Sequence, residues 1–255
     1  MDIMLYCSKC VDDNMGNCSV ADMQIDIQYI ELNPVGYYDF TCVNGHRNII
    51  VLQEPSFELL FQSGIVLFNA RYYRESVFNF AASLERFREF CIKVMIFSET
   101  QSFDLFKDMW DGMKQSERQI GAFYSLYSYL LKKSPDTAKD EKMAKLRNDV
   151  THKGKFISID EAKIYGEYVY DFISTTRKIM EDEIKEKWDM GCSQAVFHHQ
   201  AQVHDELKKK NINTHNCVIQ TMSIPTYTSI SRPVSLLTFD EVIANHASEH
   251  PKFFK

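Results

Sequence analysis

NFAASLERFREFCIKV, residues 79–94, decides the fold. Phe80, Leu84, Phe87, Cys91 and Val94 recur at steps of three and four, which gathers them into one apolar stripe on a helix. Two further runs repeat the pattern. Ile120, Phe123, Tyr124, Tyr127, Leu130 and Leu131 make one stripe, and Ala162, Tyr165, Val169, Phe172, Ile173 and Met180 make another. KKSPD (132–136) separates these two helical regions. SIDE (158–161) is a capping box, with Ser158 at the N-cap and Glu161 at N3. With a helical run before Phe80, the pattern predicts a mainly α chain whose centre, residues 55–188, is a bundle of about four to five helices. The aromatic stripes read as core rather than as a cofactor site.

The flanks differ from this centre. Residues 1–54 are rich in strand signals. MQIDIQYIEL (23–32) alternates apolar and polar side chains, NPVG (33–36) is a turn, and YYDFTC (37–42) and NIIVLQ (48–53) read as further strands. Residues 189–255 read as a mixed C-terminal extension. A helix is expected to run to ELKKKN (206–211), and CVIQTMSIPTYTSI (217–230) is extended in character. His198, His199 and His204 lack the i, i+4 spacing of a helical metal pair and read as surface or interface residues. Lys208–Lys210 read as a solvated helix end.

A unit of this size with few helices needs a staple. Cys7-Ser-Lys-Cys10 supplies two thiols in a CxxC turn. Cys42-Val-Asn-Gly-His46 answers it after a gap of 31 residues. Zn²⁺ takes such donors in a tetrahedron, and Gly45 permits the tight second turn. The expectation is a zinc-ribbon-like domain with structural Zn held by Cys7, Cys10, Cys42 and His46, Cys18 being an alternative ligand. A CxxC is also a redox pair, but that reading needs a strand-to-helix setting of which the sequence gives no sign.

The seven cysteines are an odd number without a secretion signal, so reduced thiols or a metal are expected, in a cytoplasmic protein. No run approaches the roughly 18 apolar residues of a membrane span, and no membrane partner is expected. The net charge is −6, yet residues 132–155 hold eight Lys/Arg against four Asp/Glu, a local +4. An acidic chain with one basic segment still binds RNA at that segment.

That segment contains LRNDVTHKG, residues 146–154. Cutting RNA without a metal requires a group to move protons and a group to stabilise a crowded phosphorane. A histidine does the first and an arginine's planar fork the second. Arg147 and His152 are those two types, with Asn148 and Thr151 able to orient phosphate or imidazole. On a continuous helix a five-residue offset sets them about 140° apart. They converge only if the helix is ending between them, and Gly154 is a candidate C′ residue.

An arginine, a polar residue, three more residues and a histidine at the end of a helix resemble the R-x4–6-H motif of the HEPN family. YYRESVFNFAASLERFREF (72–90) also resembles the first long helices of HEPN domains. The resemblance covers residues 55–188, about half the chain. It implies a HEPN-like bundle acting as a metal-independent endoribonuclease, a homodimer joined through the bundle with a composite site. Arg147, His152 and Asn148 would be catalytic, and Lys145, Lys153, Lys155 and Thr151 would contact RNA. Glu85 and Arg86 would support the site. It further implies a toxin or anti-phage abortive-infection effector, partnered by an antitoxin or a trigger protein. One departure stands out. A HEPN subgroup that works with nucleotidyltransferases carries a modified tyrosine two residues after the histidine, where this chain has Gly154. The alternative expectation is a HEPN-like module that binds RNA or protein without cutting. An arginine and a histidine at a helix C-terminus also simply complement the helix dipole.

Overall fold

The computed structural model describes residues 2–14, 27–33, 35–113, 115–212, 217–220, 228–230, 234 and 237–249. Its elements are β1 (Asp2–Tyr6), α1 (Ser8–Asn14), β2 (Ile27–Glu31), β3 (Tyr37–Thr41), β4 (Arg47–Leu52), α2 (Ser56–Asn69), α3 (Tyr73–Thr100), α4 (Phe103–Asp111), α5 (Ser116–Leu131), α6 (Asp140–His152), α7 (Ile159–Lys209), β5 (Cys217–Gln220) and α8 (Phe239–Glu249). The mainly α fold with a small β-rich N-terminal region is as the sequence indicates.

Two compact units emerge. One joins Met1–Glu54 with Val196–Pro225, and the other joins Pro55–Ala195 with Thr226–Lys255. The tail is thus shared between the two units rather than standing as a third. The reason in the first unit is apolar spacing on α7: Val203 and Leu207 pack with Ile49 and Val51 of β4. That unit also contains two sheets. β1 and β2 pair antiparallel, with Leu5 opposite Gln28. β3 and β4 form an antiparallel hairpin, with Tyr38 opposite Ile50, and β5 adds parallel to β4, with Ile50 opposite Val218. β1 has no counterpart among the strands expected from sequence.

In the helical unit all five stripe residues of α3 are buried, as are Phe57, Phe61 and Ile65 of α2. The Ser76 hydroxyl donates to the Gly64 carbonyl at 2.8 Å and the Ser83 hydroxyl to that of Phe57 at 2.7 Å, which sets α2 and α3 antiparallel. α5 contributes Phe123, Tyr127 and Leu131 to the core, whereas α6 contributes only Met143 and Val150. α7 is helical except at Ile184, where φ −139° and ψ 38° break the run. Its start is capped as the sequence indicates. The Glu161 N–H donates to the Ser158 hydroxyl at 3.2 Å, and the Ser158 N–H donates back to the Glu161 carboxylate at 3.1 Å. Thr238 and Glu241 repeat this box at α8. The ring of Phe239 then enters a cluster with Phe61, Phe68, Phe80 and Tyr170. α8 is therefore part of the core and not an appendage.

Two substitutions separate these contributions. Ser158→Ala should cost about 1 kcal/mol, the usual worth of an N-cap. Phe239→Ala should cost about 3–5 kcal/mol, because the rings around it cannot close the cavity. Urea denaturation followed by circular dichroism measures both, and equal costs would show that α8 is not packed as described.

Candidate functional site

The N-terminal site is built at two turns. Cys7 ends the extension of β1 and Cys10 lies in the first turns of α1, while Cys42 and His46 flank the β3–β4 turn. Gly45 in that turn has φ +80°, a conformation that L side chains rarely adopt. All four ligand atoms lie within 4.8 Å of one another. Cys10 Sγ is 3.8 Å from Cys42 Sγ and 3.4 Å from His46 Nδ1, which is 3.7 Å from Cys7 Sγ. A tetrahedral metal with bonds of about 2.3 Å to sulfur and 2.0–2.1 Å to nitrogen separates its ligand atoms by about 3.8 Å (S to S) and 3.6 Å (S to N). The four donors therefore lie close enough together to hold a metal ion such as zinc.

The surroundings supply hydrogen bonds to all three sulfurs. The N–H groups of Cys10 and His46 donate to Cys7 Sγ and Cys42 Sγ, each at 3.4 Å, and Asn44 donates to Cys10 Sγ at 3.3 Å. Burial pushes the Cys7 thiol up, but the Cys10 N–H, Asn48 and the side chains of Cys10 and His46 outweigh it and hold it down to about 6. Asn44 pulls Cys10 down, but burial and the thiols of Cys7 and Cys42 push it up to about 11. Crowded sulfurs resist carrying charge together unless a cation joins them. On the far side, His46 Nε2 faces Asp13 at 3.8 Å, the carboxylate arrangement that orients a ligating imidazole. Asp13 was not singled out from sequence, although it follows Cys10 by three positions on one helix.

One expectation is corrected here. The CxxC does sit at a strand-to-helix junction, between β1 and α1, so lack of that setting is no argument against a redox pair. The argument for a metal is instead the convergence of Cys42 and His46, which a two-thiol redox pair does not need. Cys18 lies outside the described residues.

The second site is on α6. The helix stays regular through His152, and the stop comes only afterwards, with Gly154 at φ +65°. The N–H groups of Lys153 and Lys155 both donate to the Asp149 carbonyl, at 3.2 and 3.1 Å. The helix does not end between Arg147 and His152, so within one chain the two side chains leave α6 about 140° apart. His152, Asn148, Thr151, Lys145 and Lys153 are exposed. Lys153 pairs with Asp149 at 2.6 Å, and Lys155 pairs with Glu161. Arg147 is half-buried and faces Glu85 of α3 at 3.7 Å. Arg86 instead pairs with Glu89 on its own helix.

Arg147 belongs to a cleft of about 420 Å³ walled by α3, α5, α6 and α7. The cleft also holds Glu85, Arg88, Asp140, Tyr165 and Tyr168, none of which a short linear motif reveals apart from Glu85. Tyr168 donates to Asp140 at 2.6 Å, and Arg88 pairs with the other oxygen at 3.5 Å. Burial pushes the hydroxyls of Tyr165 and Tyr168 well above the usual phenol range, which keeps them neutral donors at any ordinary pH. His152 does not line this cleft.

His198, His199 and His204 are half-buried on α7, and among the described residues they join no metal-binding cluster. Lys208 and Lys209 pair with Asp205 and Glu206 at the helix end. No helix among the described residues is long and apolar enough to cross a membrane. Compared with protein-family models, curated proteins and solved structures, the chain matches none.

The metal reading makes a direct prediction. Purified chain should carry close to one tightly bound metal per molecule by elemental analysis. Cys42→Ser should lose it, and Asp13→Ala should weaken it about 10–100-fold. Acid should release it, because protons compete for the thiolates as pH falls. Metal-free wild type, or full retention in Cys42→Ser, would count against the assignment.

Proposed function

We propose that this chain is a metal-independent endoribonuclease of the HEPN type, acting as a homodimer, with zinc at Cys7, Cys10, Cys42 and His46 as a structural staple. The observation that carries the reading is the place of RNDVTHKG. It closes α6 of a helical bundle, with His152 exposed at the helix end, Arg147 facing a cleft, and exposed lysines 145 and 153 beside them. In the reaction, His152 takes the proton of the 2′-hydroxyl, whose oxygen attacks the adjacent phosphorus. The bond to the 5′-oxygen breaks, and that oxygen gains a proton from a second imidazole. The products are a 2′,3′-cyclic phosphate and a 5′-hydroxyl end. Arg147 stabilises the charge on the phosphorane, Asn148 orients the phosphate, and Lys145, Lys153, Lys155 and Thr151 hold the flanking backbone.

The separation of Arg147 from His152 on one helix is the reason for the dimer. Two copies of α6 brought together supply an arginine from one and a histidine from the other to a single phosphate, and the second histidine acts as the acid. Use as a toxic, growth-arresting effector under the control of an antitoxin or trigger protein follows by family analogy. The same separation favours a second reading, a module that binds RNA or protein and does not cut.

The test is cleavage of mixed tRNA and of an unstructured RNA in the presence of EDTA, with matching DNA as control. Wild type should cut RNA and spare DNA, which lacks the 2′-hydroxyl. His152→Ala and Arg147→Ala should each lose at least about 100-fold while keeping their helical spectrum. RNA retained but never cut by any of the three proteins selects the binding module.

A further inference from the structure

The cleft beside Arg147 contains more than the proposed reaction uses. Arg88 is 5% exposed, and its one ion pair among the described residues, to Asp140, spans 3.5 Å. Its guanidinium lies over the Phe172 ring at 4.8 Å, and its Nε has no hydrogen-bond partner among the described residues. A buried guanidinium has five donors, and leaving them unfilled is costly. The hydroxyl of Tyr124, a residue that lines the same cleft, is likewise buried and without a hydrogen-bond partner among the described residues. Arg147 is held only at 3.7 Å by Glu85. Two cations and a phenol with spare hydrogen-bonding capacity thus share one cavity.

The carboxylates matter as much. Glu85, Asp140 and Glu141 also line the cleft, so a bare anion meets three negative charges there as well as two positive ones. A ligand suited to this mixture carries an anionic group for the guanidiniums and hydroxyl or amine donors for the carboxylates. It also carries a flat apolar face for the tyrosine rings. A cavity of about 420 Å³ lies in the range that holds small-molecule ligands.

We propose that the cleft between α3, α5, α6 and α7 is a nucleotide subsite in which Arg88 and Arg147 hold a phosphate and Tyr124 donates to it. The ribose hydroxyls bond Glu85 or Glu141, and Asp140 keeps Arg88 and Tyr168 in position. This deepens the ribonuclease reading and rests on it for the source of the nucleotide, one residue of an RNA strand. A nucleotide lodged between these four helices has left its own base stack, which makes single-stranded RNA the substrate class.

Isothermal titration of the full chain tests this, using adenosine and uridine 3′-monophosphates, the two nucleosides and inorganic phosphate. The monophosphates should bind, and each nucleoside and phosphate alone should bind at least about tenfold more weakly. Arg88→Lys should lose about tenfold or more in monophosphate affinity, because a lysine cannot reproduce the fork. Should Arg88→Lys fail to fold, Tyr124→Phe carries the test. It should bind monophosphate several-fold more weakly with its thermal stability kept or raised, since a buried, unfilled hydroxyl is removed. Unchanged affinity in Tyr124→Phe, or nucleosides binding as tightly as monophosphates, overturns the subsite. The two readings fail separately. Wild type that cuts RNA but ignores monophosphates overturns this inference alone. Wild type that binds monophosphates through Arg88 but never cuts RNA supports the subsite and removes the ribonuclease.

Discussion

The position of α6 depends on one half-buried polar lock. Asp140 begins the helix, accepts a hydrogen bond from Tyr168 of α7 and faces Arg88 of α3. α6 itself sinks only Met143 and Val150 into the core, too little apolar anchorage to fix a thirteen-residue helix in rotation. The lock supplies what the apolar contacts lack. A carboxylate in the first turn also suits the positive end of the helix dipole. Rotating α6 by one residue would pull Asp140 off both partners and swing Arg147 out of its cleft. Placement of the candidate chemistry at one end of α6 is therefore set by charges at the other.

The N-terminal unit solves a different problem. Its strands are four to six residues long, and its apolar cluster around β4 needs Val203 and Leu207 of α7 to be covered. Three buried cysteines and one histidine tie the β1–α1 junction to the β3–β4 turn. With all four positions taken by protein donors, a metal there has no open site for a substrate. The cluster is suited to holding shape. The proposed chemistry lies in the helical unit instead.

The elements visible in the sequence were those with local signals. The α3 stripe, the KKSPD break, the Ser158–Glu161 box and the β3–β4 hairpin all follow from spacing within short stretches of the chain. So does the Cys/His set, because two short motifs carry it. The features that were not visible depend on distant partners. β1 pairs with a strand more than twenty residues on, and its first-turn cysteine knuckle continues into a helix too short to show periodicity. Arg88 reads as one more charge on a helix until Asp140 and Tyr168 are folded against it, fifty and more residues away. The Thr238–Glu241 box that opens α8 is absent from the elements read in the sequence, and nothing local shows that Phe239 goes into the core.

For the proposed reaction, the stop of α6 decides how Arg147 and His152 are combined. A helix broken between them would let one chain bring both to a phosphate. The chain instead keeps hydrogen bonding into the Asp149 carbonyl and leaves the helix only at Gly154. Arg147 then faces inward to the cleft with Glu85 and Tyr165, while His152 stands in solvent at the tip. An inward arginine can grip a phosphate that enters the cleft. An outward histidine can reach only what lies across the helix end. In the proposed reaction the two act on one phosphorus only when the strand bridges from the cleft of one copy to the tip of another. A symmetric pair of α6 helices meets that condition twice, because what the first copy offers the second also offers in return.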